Sequence, residues 1–158
     1  MYYTCNPSKI QIYINTKYKN STKPASEILS QIKSETGCDI ILNGGLYNLT
    51  TWQPSCHLRA DNHQYATDPY EYMGYGWDLA NITLTSSKNE ERVKNFICCV
   101  NLIKDGKSIP KLIYDSSIGG TRGRTAIGTK TDGSMLIYCV KDGTSETLTP
   151  ELLRDKML

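Results

Sequence analysis

Apolar and polar positions alternate in short bursts along this chain, and the bursts predict its elements. Ile10-Gln11-Ile12-Tyr13-Ile14 alternates at the period of a strand. Polar residues 15–23 then read as a loop. Pro24-Ala25-Ser26-Glu27 opens a helix, because proline suits the first turn and an acid there suits the dipole. Ile28, Leu29 and Ile32 form its apolar face, and Gly37 ends it. Cys38-Asp39-Ile40-Ile41-Leu42 reads as a short buried strand that delivers Asn43-Gly44-Gly45 at its carboxyl end. Residues 50–82 are turn-rich, with Pro54, Pro69, Gly74 and Gly76, and predict short strands between long loops. Lys88 to Lys94 is charged and solvated.

From Asn95 onward the pattern is a meander. Phe96–Ile103, Lys111–Tyr114, Arg124–Lys130 and Met135–Val140 read as strands. Asp105-Gly106 and Asp132-Gly133 are the hairpin turns, where glycine accepts positive φ. Thr149-Pro150-Glu151 starts a second helix with a capping threonine, and Leu152, Leu153, Met157 and Leu158 give its apolar stripe. The expected class is therefore α+β: a mixed, mostly antiparallel sheet with two or three helices, in one domain over residues 1–158.

Composition narrows the function little. A net charge of +2 makes no case for a nucleic-acid duplex or an anionic membrane as partner. No apolar run approaches the roughly 20 residues of a membrane helix, and no basic-then-apolar leader opens the chain. The expectation is a cytoplasmic protein. Sequons at Asn20, Asn48 and Asn81 then read as chance. Cys5, Cys38, Cys56, Cys98, Cys99 and Cys139 form no C-x-x-C pair and read as free thiols, with Cys98 and Cys99 on opposite strand faces. His57 and His63 have too few companions for a metal site, so neither metal nor cofactor is expected. Tyr70, Tyr72, Tyr75 and Trp77 either stack on a sugar or pin a loop as a small aromatic core; packing is the commoner use.

Two glycine-marked strings carry the candidate chemistry. In Asn43-Gly44-Gly45 the glycines admit a ligand close to the backbone, and free amides bind anionic oxygens; a plain turn is the bland alternative. Arg122 and Arg124 flank Gly123 just before a strand, and a guanidinium fork matches phosphate oxygens; a surface arginine is the alternative there.

Together the strings resemble the phosphodiester glycosidase family, whose best-known member removes N-acetylglucosamine from a sugar phosphodiester. Leu42-Asn43-Gly44-Gly45-Leu46-Tyr47-Asn48 is similar to the family's Asn-Gly-Gly-Phe-Phe string. Arg124-Thr125-Ala126-Ile127-Gly128 with Asp132-Gly133 matches its Arg-Thr-Ala-Ile-Gly string and turn. Asp142-Gly143 and Thr149-Pro150-Glu151-Leu152 follow in the same order, so the resemblance covers about residues 38–158. It implies hydrolysis of a glycosidic bond in a sugar phosphodiester, small or polymeric, with Asn43, Gly44, Gly45, Arg124 and Thr125 binding substrate; Arg122 joins that set as the second guanidinium beside Gly123.

The family's Asp-Gly-Gly-Gly-Ser-Ser string is absent from residues 1–158. That departure leaves two other expectations beside hydrolysis. One is a binding module that holds a phosphodiester or nucleotide-like molecule without turnover. The other is an inactive half that needs its C-terminal segment or a second copy as partner. The family also occurs in phage and prophage-like proteins, which implies release at lysis. Glycosidases use paired carboxyls. Asp39, Asp61, Asp68, Asp78, Asp115, Asp142 and Glu151 are the candidates, and no pair stands out among them.

Overall fold

The computed structural model describes residues 1–48, 50–51, 53–66, 74–78, 82–85 (backbone only) and 93–158. The described strands are β1 (Tyr2–Cys5), β2 (Leu58–Ala60), β3 (His63–Ala66), β4 (Gly74–Trp77), β5 (Ile82–Thr85), β6 (Asn95–Cys98), β7 (Ile103–Lys104), β8 (Lys107–Ser108), β9 (Arg124–Thr129) and β10 (Met135–Val140). The helices are α1 (Ala25–Thr36) and α2 (Pro150–Met157). Every described ladder is antiparallel. The fold is α+β, as the pattern predicts.

Two sheets and a hairpin carry the architecture. One sheet has the order β1-β10-β9, the other β3-β2-β6-β4-β5, and β7-β8 stands apart. Tyr75 and Trp77 of β4 pack against Met135 of β10 between the sheets, each no more than 1% exposed. These two aromatics are core, as packing residues should be. Tyr70 and Tyr72 lie outside the described residues. On the other face of the β1-β10-β9 sheet, Ala126, Tyr138 and Val140 pack with Leu148, Leu153 and Met157, so α2 lies there. Cys98 joins the cluster of Cys56, Val93 and Phe96, whereas Cys99 packs toward Tyr75 and Trp77. The adjacent thiols thus face opposite ways.

Local chemistry fixes the element ends. Gly37 closes α1 in the left-handed region at φ 68°, and its amide donates to the Lys33 carbonyl. Thr149 caps α2 by accepting from the Leu152 amide at 3.2 Å. Asp105 and Gly106, both at positive φ, turn β7 into β8. Asp61 and Asn62 do the same between β2 and β3 without a glycine, a turn the sequence does not announce. Arg59 is buried and donates to the Gln64 side chain and the Val93 carbonyl, pinning β2 to the start of β6.

Several expected strands carry no ladder. Ile10–Ile14 takes no regular element; Ile10 and Ile12 pack on the inter-sheet cluster, but the backbone pairs with no described strand. Its alternation reports burial on one side only. Cys38–Leu42 is irregular, and Ile40 is 39% exposed. Asn43-Gly44-Gly45 therefore leaves a loop rather than a buried strand. Lys111–Tyr114 is also irregular: Ile113 is 77% exposed, and Arg154 of α2 takes the preceding Ile109 and Pro110 carbonyls. Phe96–Ile103 breaks after Cys98. In α2, Leu153 is buried and Met157 packs inward, but Leu152 and Leu158 are exposed. β1, by contrast, appears where no strand is expected, and pairs Tyr2 with Tyr138.

Candidate functional site

Leu42 of the first string and Arg124 of the second lie at one end of the β1-β10-β9 sheet. Arg124 begins β9 and lies opposite Val140, which ends β10, while Thr125 lies opposite Cys139. Leu42, the neighbour of Asn43, lines a groove with Tyr3, Cys139, Val140 and Lys141 at that same end. Thr144 and Glu146 complete its polar side, and the groove holds about 250 Å³.

Adjacent strand residues point to opposite faces, so Arg124 and Thr125 cannot serve the site in the same way. The Thr125 hydroxyl lies 3.8 Å from the Cys139 sulfur, beside the groove. Arg124 turns toward α2. Its Nε donates to the Leu148 carbonyl at 3.0 Å, Nη1 to Ile118 at 2.7 Å and Nη2 to Gly120 at 2.6 Å. One side chain thus holds the glycine loop 118–124 in shape. A guanidinium has five N–H donors, so two remain for a ligand.

Arg122 is exposed and forms no ion pair among the described residues. Its backbone pairs with Leu148 in both directions, at 3.2 and 3.0 Å. Burial lowers the Arg124 guanidinium from its usual range, and the nearby charge of Arg122 lowers it further. Tyr114, Glu151 and Asp142 act in the opposite sense.

Asp142 and Glu151 are the candidate carboxyls that lie here. Asp142 accepts from the Gly123 amide at 2.8 Å. Glu151 accepts from the Tyr114 hydroxyl at 2.7 Å, and that bond holds its carboxyl below the usual glutamate range. Asp115 is lowered too, by hydrogen bonds from Ser117. Asp61 sits in the β2–β3 turn, Asp39 is exposed in a loop, and Asp132 caps its own hairpin through Ser134. Asp68 lies outside the described residues.

The glycines divide into two kinds. A Cβ on Gly123 would lie 2.5 Å from the Asp142 nitrogen, and one on Gly76 2.8 Å from a Val93 methyl. Packing demands glycine at both. Among the described residues, a Cβ on Gly45 would meet nothing within 4 Å, and one on Gly44 only an ordinary contact with Ile97 at 3.9 Å. Neither takes positive φ. The amides of Asn43, Gly44 and Gly45 donate to no partner among the described residues. No contact among the described residues requires the glycine pair, whereas close approach of a ligand would.

The groove lining beyond Leu42 comes from residues that carry no motif. Tyr3 and Cys139 meet there only because β1 pairs with β10. Beside Gly45, a cavity of about 10 Å³ next to Cys56 and Cys98 admits no more than a water. His57 stacks edge-on against Phe96 and His63 against Tyr65, and no metal-binding group occurs among the described residues. No described helix is long and apolar enough to cross a membrane. No protein-family model matches this chain, and no curated protein sequence matches it.

Proposed function

We infer that this end of the sheet recognises a sugar phosphodiester, and that the chain hydrolyses the glycosidic bond beside the phosphate. One observation carries the reading. Leu42, next to Asn43, and the strand partners of Arg124 and Thr125, Val140 and Cys139, line one groove, and both strings are similar to those of phosphodiester glycosidases. The phosphate lies against the free amides of Asn43, Gly44 and Gly45 and the fork of Arg122. Arg124 shapes the loop that carries Arg122. A groove of about 250 Å³ is small beside the sites of drug-sized ligands and suits one sugar ring.

Hydrolysis needs one carboxyl that gives a proton and one that takes it or attacks. Glu151, held low, fits the second role and not the first. A second reading, binding without turnover, is favoured by the commitments of Asp142 and Glu151, since both already hold protein groups in place.

Calorimetry with methyl N-acetylglucosaminyl phosphate, paired with an assay for released sugar, tests both. Binding with release supports the hydrolase. Binding without release supports the module. No binding at millimolar ligand would overturn both readings.

A further inference from the structure

We propose that Asn43-Gly44 is a self-modifying site, at which the Gly44 backbone nitrogen attacks the Asn43 carboxamide and converts the residue to aspartate and isoaspartate. Asn43 is the chain's one asparagine followed by glycine. Both residues are exposed and lie outside any helix or strand. The Gly44 amide donates to no described acceptor, and the Asn43 side chain is held by no described hydrogen bond. Nothing therefore has to break before the nitrogen and the carboxamide carbon can meet. With no Cβ on Gly44, its backbone is free to adopt the geometry of attack.

The chemistry balances without any partner. The Gly44 nitrogen gives its proton to water or hydroxide and bonds to Asn43 Cγ. The Cγ–Nδ2 bond breaks, and ammonia leaves. The resulting five-membered imide then takes up water. Opening at Cγ yields aspartate. Opening at the Asn43 main-chain carbonyl yields isoaspartate, whose backbone runs through Cβ. One water is consumed and one ammonia released, with no oxidation or reduction. Because the nitrogen must lose a proton, the rate rises with pH.

The other described asparagines are protected. Asn6 precedes proline, which has no N–H. Asn15, Asn48 and Asn95 each accept backbone amides through their side-chain oxygen, from Tyr18, from Thr50 and Thr51, and from Asp61 respectively. The amide after Asn20, on Ser21, donates to the Tyr18 carbonyl. Asn62 precedes His63, the first residue of β3. The Asn101 side-chain oxygen is buried. Asn81 and Asn89 lie outside the described residues.

Conversion would put a carboxylate among the three free amides, and the isoaspartate form would lengthen the loop by one backbone atom. Its effect on anion binding rests on the proposed function, whereas the reaction itself does not.

The test uses the whole chain, incubated in mildly alkaline buffer and sampled over time by peptide mass spectrometry with fragmentation that distinguishes isoaspartate. The expected result is a gain of about one dalton at Asn43 ahead of every other described asparagine, with isoaspartate present. Gly44→Ala, which the 3.9 Å contact with Ile97 tolerates, should convert severalfold more slowly while keeping its circular dichroism. Earlier conversion at Asn20 or Asn62, or a wild-type rate in Gly44→Ala, would overturn the proposal. The converted fraction, separated by ion exchange, should lose affinity for methyl N-acetylglucosaminyl phosphate. Unchanged affinity would remove Asn43 from the anion site and leave the reaction standing.

Discussion

Gly123→Ala and Gly45→Ala should part company sharply, although both sit in the candidate site. At Gly123 the added methyl would lie 2.5 Å from the Asp142 nitrogen, 2.9 Å from its Cα and 2.9 Å from the Val140 oxygen. All three are backbone atoms at or just past the end of β10, so no side chain can swing away. Overpacking of this kind costs about 1–3 kcal/mol, and rigid neighbours put it near the top of that range. The shift also strains the 2.8 Å bond from the Gly123 amide to Asp142, worth about 1 kcal/mol. For a chain of this length each kcal/mol moves Tm by about 2–4 °C, so a loss near 3 kcal/mol lowers Tm by about 6–12 °C. At Gly45 the methyl meets no described atom, so stability holds or rises by about 0.4–1 kcal/mol through the unfolded chain. Differential scanning fluorimetry of the two variants beside wild type reads the contrast. An unchanged Tm in Gly123→Ala, or equal losses in both, would refute this division of the glycines.

Three other outcomes follow from the same contacts. Arg124→Lys can keep at most a point contact with the Leu148, Ile118 and Gly120 carbonyls, so urea unfolding should show a loss of about 1–3 kcal/mol and phosphodiester affinity should fall with it; wild-type values for both would contradict the clamp. Glu151 has its carboxyl lowered by Tyr114, so the stability from this contact is complete above the ordinary glutamate range and drains away as pH falls through the lowered value. Tyr114→Phe should flatten that acid limb of the urea midpoint, and an unaltered limb would remove the bond from the account. All six cysteines are thiols, and burial pushes that of Cys99 up to about 12, so thiol reagents should find six groups in denatured, unreduced protein and react with Cys99 very slowly in the native state; fewer than six, or a fast-reacting Cys99, would count against the structure.

What the sequence shows and hides follows from which interactions are local. α1 and α2 are legible because a proline or threonine starts them and, for α1, a glycine stops it, all within a turn of the helix. β9 and β10 are legible because Asp132-Gly133 sets their hairpin and the apolar alternation sets their faces. β1 is not, since Tyr2–Cys5 is short and its partner comes from the far end of the chain. Ile10–Ile14 and Cys38–Leu42 mislead for a physical reason: alternation records which side meets the core, and no local signal says whether another strand takes the backbone hydrogen bonds. At the site, the opposite directions of Arg124 and Thr125 follow from strand period alone. The three carbonyls that occupy Arg124 do not, because they belong to a loop and to Leu148, ahead of the Thr149 cap of α2.

The central claim is that the two strings form one anion site, and amide chemical-shift mapping tests it directly. Methyl N-acetylglucosaminyl phosphate titrated into isotope-labelled protein should move the amides of Asn43, Gly44 and Gly45 together with those of Gly120 to Thr125, along one binding curve. Shifts confined to one string, shifts that follow two different curves, or none at either string would contradict it.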